Sequence, residues 1–118
     1  MFLDKLSAIS GRVPGALALC LVDADGIPVE SVSSEESLDL DLLAAELVAH
    51  VRSISDDQSG LAEGRVKQLS VITDRFTVVV SSVADGYYLL LVVGPEGGYG
   101  RARFELRRAR LLLEDELV

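Results

Sequence analysis

Tryptophan is absent from the 118-residue chain, and cysteine and histidine occur once each, as Cys20 and His50. Three Phe and three Tyr are the only aromatics, so Leu, Val, Ile and Ala have to fill the core. A single cysteine excludes an internal disulfide, and its setting in the apolar run Ala16–Val22 reads as a small core residue rather than a reactive thiol. One His and one distant Cys make neither a zinc ligand set nor a Cys–His dyad. The start of the chain lacks a basic segment followed by an apolar one, so no signal peptide is expected. The longest apolar runs have seven residues, whereas a membrane-spanning helix takes about 20. A soluble, cytoplasmic protein is expected.

Positive charge is also scarce. Eleven Lys and Arg stand against 19 Asp and Glu, for a net charge of −8 and a pI near 4.5. That balance disfavours nucleic-acid phosphates and anionic membrane surfaces. The charge is unevenly spread. Residues 23–63 hold eleven acids and one base, Arg52, while residues 101–110 hold five arginines and one acid, Glu105. Apolar residues form 49% of the chain, which excludes a disordered polyelectrolyte and suits one domain spanning residues 1–118.

The apolar spacing gives an order of elements. Phe2, Leu6 and Ile9 mark a short helix, ended by Gly11 and Pro14. Leu17–Val22 and Ile27–Val32 read as strands joined by a turn at Asp23–Gly26, with Pro28 requiring an edge or a bulge. Ser37 or Asp39 can cap a helix over Asp39–Ser55. Leu40, Leu43, Ala44, Leu47, Val48, Val51 and Ile54 form one apolar stripe of that helix, and Leu38, Leu42, Ala45 and Ala49 form a second on the opposite side. A helix resting on a sheet needs one apolar face, so two imply a second cover. After a loop at Asp56–Gly64, strands are expected at Val66–Thr73, Phe76–Val83 and Tyr87–Val93, linked by hairpins. The last two strands are almost wholly apolar and should be central. Gly94–Gly98 breaks the chain before a helix over Tyr99–Leu117, with Tyr99, Ala102, Leu106, Ala109, Leu113 and Leu117 as its core stripe. A five-stranded, mainly antiparallel sheet with helices on both faces is the simplest packing.

The chemical inventory is thin. Glu46 and His50 share a helix flank, where a solvated or interface role outweighs a metal or base. The stretch from Gly94 to Arg101 is glycine-rich but has neither phosphate-loop nor dinucleotide spacing. Asp23 and Asp25 do not complete a calcium loop. The 101–110 arginines lack an aromatic platform for nucleic acid and read as a solvated face or a contact for an acidic protein. No catalytic residue, cofactor or metal site is expected, and the chain is not read as an enzyme.

The ordered set of segments resembles the Roadblock family, which includes dynein light chains, subunits of lysosomal GTPase scaffolds and bacterial regulators of Ras-like GTPases. The matching residues are Val13-Pro-Gly15, Leu17–Val22, Asp23-Ala-Asp-Gly-Ile27, Leu42–Ala49, Gln68–Ile72, Phe76–Val80, Gly86–Val92 and Gly100–Arg103. The resemblance implies a three-layer α/β/α, longin-like fold of order α-β-β-α-β-β-β-α. It also implies a homodimer through the second helix and third strand, placing Leu38, Leu42, Ala45, Glu46, Ala49, Arg52, Lys67, Leu69 and Val71 at the interface. The implied function is binding a Ras-like small GTPase, which some members stimulate to hydrolyse GTP without supplying an arginine finger. A structural subunit of a motor or filament complex, without GTPase contact, is the alternative. A small-molecule sensor would need a roomy pocket, which the close-packed aliphatic strands oppose. Arg103, Phe104, Arg107, Arg108 and Leu111, on the outer part of the last helix, are candidates for a second protein interface.

Overall fold

Two adjacent strands, ALALCLVD and YYLLLVV, carry the densest apolar sequence in the chain, and the rest of the molecule is arranged to cover them. The computed structural model describes residues 2–35, 37–55, 60, 64–84, 86–95 and 99–117. Its elements are α1 (Phe2–Gly11), β1 (Ala16–Asp23), β2 (Pro28–Ser33), α2 (Leu40–Ile54), β3 (Gln68–Ile72), β4 (Thr77–Val83), β5 (Tyr87–Val93) and α3 (Tyr99–Leu117). The five strands form one sheet in the order β2-β1-β5-β4-β3, with every neighbouring pair antiparallel. β5 is central and β1 and β4 flank it, which is why their sequences do not alternate: both faces are covered.

Side-chain alternation sorts the sheet into two cores. Leu19, Leu21, Val79, Leu89 and Leu91 point to one face, under α1 and α3. Ala18, Cys20, Val22, Val78, Val80, Leu90 and Val92 point to the other, under α2. The α/β/α layering and element order are those expected. Burying one such Leu or Val contributes about 1.5–3 kcal/mol, so the two layers together dominate stability.

The punctuation has local causes. Asp39 caps α2, its Oδ1 accepting from the Leu42 amide at 3.1 Å. At the β1–β2 turn, Asp23 Oδ1 accepts from the amides of Asp25 and Ile27, so backbone geometry accounts for this aspartate. Gly26 there has φ of +83°, and a Cβ on it would lie 3.2 Å from the Ala45 Cα. Only glycine meets both demands without strain. β2 is an edge strand, and its pairing with β1 shifts register between Leu21 and Val22, opposite Pro28. The expected alternatives for Pro28, edge or bulge, therefore both occur.

Several boundaries differ from expectation. β2 starts at Pro28 rather than Ile27, and β4 at Thr77 rather than Phe76. β3 begins at Gln68 rather than Val66, because Val66 packs against the α2-side core instead of entering the ladder. Tyr99 is not a core residue. It stands at the first turn of α3, 37% exposed, and its hydroxyl lies 3.0 Å from Ser70 Oγ. The expected loop at Asp56–Gly64 lies largely outside the described residues, as do Asp85 of the β4–β5 turn, most of the Gly94–Gly98 break and the Leu117 side chain.

Candidate docking surfaces

Among the described residues, most of the second apolar stripe of α2 is left uncovered, Leu38 alone packing on the core. Leu42 is 55% exposed, Ala45 and Ala49 are exposed, and Leu38 is half-buried. Glu46 and Arg52 are exposed on the same helix. The expected residues divide by flank. Arg52 Nη1 donates to the Ala24 carbonyl at 3.4 Å, and Ala45 lies against Gly26, so both face the β1–β2 turn. The other flank leans towards β3, where Ile54, Val66 and Leu69 line one concavity. At about 100° per residue, Leu42, Glu46 and Ala49 are outermost, and His50 falls on the β3-facing flank.

β3 supplies the rest of this surface. Leu69 pairs with Val80 and Val71 with Val78, so both project to the α2 side of the sheet. Leu69 is half-buried, Val71 is 39% exposed and Lys67 is exposed. The structure thus brings Lys67, Leu69 and Val71 to the α2 side, while Ala45 and Arg52 stand on the far flank of the helix. Ile72, 68% exposed, pairs with Thr77 and so projects to the other, α3-side face; it was not singled out from sequence, although an apolar residue at the end of an alternating strand signals it.

The edge of β3 is open in a definite way. Lys67 O accepts from the Ser82 amide at 2.9 Å, and the Thr73 amide donates to Phe76 O at 2.9 Å. With the register between them, these bonds assign odd-numbered residues to the β4 ladder. The backbone groups of Gln68, Ser70 and Ile72 then point off the sheet, available to another strand.

On the opposite face, α3 carries the arginines. Glu105 lies beneath them, 0% exposed, with Oε1 bound by Arg101 at 3.2 Å and Arg108 at 3.4 Å. Arg101 Nε also donates to Arg12 O at 3.2 Å, which ties α3 to the turn after α1. Arg103 Nε donates to Gln68 Oε1 at 3.0 Å. Phe104 and Leu111 are 53% and 66% exposed. Of the five residues expected here, Arg103, Phe104 and Arg107 sit together beside β3. Arg108 is instead engaged with Glu105, and Leu111 lies about two turns beyond Phe104.

Nucleophilic chemistry finds no support in the surroundings of Cys20. The thiol is buried on the α2 side of β1, and burial, aided by the Asp41 carboxylate, pushes its pKa from 9.0 to about 11. Native protein is expected not to react with a disulfide reagent at pH 8 and to react once unfolded in urea. The folded pKa is the higher one, so this group's contribution is complete below pH 9 and is lost as pH rises from about 9 towards 11. A native-state reaction as fast as that of free cysteine would contradict the burial. Among the described residues, no group of three or more His, Cys, Asp or Glu could hold a metal ion, and no helix is long and apolar enough to cross a membrane.

No family model matches the chain, and no curated protein matches it in sequence. Solved structures do. A Roadblock/LC7 domain from Streptomyces avermitilis superposes with a TM-score of 0.83 at 21% identity, over 98% of this chain and 96% of that one. The gliding protein MglB from Thermus thermophilus gives 0.84 at 19% identity, over 95% and 84%. MglC from Myxococcus xanthus gives 0.72 at 28% identity, over 98% of each chain. The fold of this chain is the Roadblock/LC7 fold.

Proposed function

We propose that this chain is a homodimeric, non-enzymatic regulator or scaffold that binds a Ras-like small GTPase. The observation that carries the reading is the meeting, on one side of the sheet, of an uncovered apolar helix face and an unpaired strand edge. Leu42, Glu46 and Ala49 would pack against a second copy of α2, and the outward groups of Gln68, Ser70 and Ile72 would pair with a second β3. Such a self-complementary seam is isologous, and it would also shield the apolar Val71 and Ile72.

The likeness to Roadblock/LC7 domains and to MglB and MglC supports the GTPase as partner. Four of the arginines, though not Arg107, are engaged within the chain, which disfavours those four as arginine fingers. Arg52 is bonded to Ala24 O, Arg101 and Arg108 hold Glu105, and Arg103 is bonded to Gln68. A catalytic finger has to be free to reach the nucleotide.

Mixing the purified chain with the Ras-like GTPase encoded nearest its gene tests the reading. Binding is expected to be tighter in the GTP-analogue state than with GDP, at two copies of this chain per GTPase. Faster GTP turnover would mark an activator, and binding with unchanged turnover a scaffold. Equal or absent binding in both nucleotide states would instead favour a structural subunit without GTPase contact.

A further inference from the structure

Between residues 100 and 111 the only acid is Glu105, and it is buried under the helix between Arg101 and Arg108. The β3-facing side of α3 is therefore cationic with no carboxylate of its own over this stretch. Arg103 bonds to a neutral amide and has no ion-pair partner among the described residues, and its guanidinium lies 5.5 Å from the Tyr99 ring centroid. Arg107 is exposed and has no ion-pair partner among the described residues. These two arginines, Gly100, Phe104 and Gln68 line a concavity of about 270 Å3. That space is smaller than a cofactor pocket and fits one or two side chains.

We propose that this groove docks an acidic segment of a partner protein. A carboxylate sits between Arg103 and Arg107, which offer planar paired N–H donors suited to it. An apolar side chain next to that carboxylate lies on Phe104, whose ring is half exposed at the rim. Charge selects a short peptide segment over a long polyanion. A short segment can stay on the groove, where Arg103 and Arg107 are the exposed charges lining it, whereas a nucleic acid would run on over a molecule of net charge −8. The groove lies on the face opposite α2, although Gln68 places it beside the β3 edge.

Fluorescence anisotropy with three labelled probes tests this: a Glu-rich peptide with a central Leu, its Lys-for-Glu counterpart, and an oligo-dT of similar length. The Glu-rich peptide is expected to bind, to weaken as salt is raised, and to lose at least about tenfold in affinity on Arg103→Glu plus Arg107→Glu. Phe104→Ala is expected to weaken it several-fold, and Arg75→Glu, in the β3–β4 turn and outside the groove lining, to change it less than about twofold. Circular dichroism melting establishes that each variant folds. Absence of binding, equal binding by the Arg103/Arg107 variant, or preference for oligo-dT would overturn the proposal.

Discussion

Replacing Arg101 and Arg108 together with alanine is expected to destabilise the protein by about 2–3 kcal/mol, whereas Glu105→Met is expected to be nearly neutral. The asymmetry follows from the burial of Glu105. Its Oε1 is held by both arginines, and its Oε2 is buried without a hydrogen-bond partner among the described residues. Removing the arginines strands a carboxylate in a dry site, and removing the carboxylate frees two side chains that are already about half exposed. That exposure, 51% and 46%, is why the expected cost falls below the roughly 3–5 kcal/mol of a fully buried pair. Urea unfolding midpoints decide the matter. In a Glu105→Met background the double alanine change should cost much less, since the group that needed the arginines is gone. Equal costs in both backgrounds would mean that the arginines act by packing or through the Arg101–Arg12 bond alone.

Ser70→Pro is expected to convert the proposed dimer to monomers while leaving the fold intact. The substitution removes an N–H that points off the sheet, not one that bonds to β4, and an edge strand accepts proline. The ring would still obstruct an incoming strand. A weakening of roughly 100-fold, about 2.8 kcal/mol, would separate the copies at micromolar concentration. Leu42→Arg attacks the same association from the helix, by placing a charge in the apolar seam. Light scattering over a dilution series reads both variants, and thermal melting confirms that the lost contact is between copies. A dimer mass unchanged by both substitutions would remove α2 and β3 as the interface.

Much of the fold was legible because it depends on side chains in sequence order. Apolar runs without alternation marked β4 and β5 as doubly covered, Pro28 marked an edge, and Asp39 marked the start of α2. The second stripe on α2 was equally visible, since helical spacing alone separates Leu42 and Ala49 from Val48. The misses share a different cause. Glu105 among five arginines has the pattern of a solvated face, and its burial is a matter of tertiary packing around α3, such as the Arg101–Arg12 bond that spans 89 residues of sequence. Tyr99 continues the core period of α3, but the helix has only begun there and its first turn meets Ser70 at the sheet margin. Alternation along β3 assigned faces to Leu69 and Val71. It could not say which backbone groups point off the edge, because the register with β4 decides that.

The two margins of the sheet are unlike. β3 ends in a row of free backbone groups, while β2 carries a proline, which offers no N–H, next to a break in register. In a polymer chemist's terms the two ends of the sheet differ in reactivity, β2 being blocked at Pro28 and β3 nowhere along Gln68–Ile72. Joining two copies along β3, as proposed, would consume that edge of each, and the product would present the proline-bearing, register-broken β2 at both outer margins. The proline and the break in register at β2 would then oppose further growth along the sheet direction beyond ten strands.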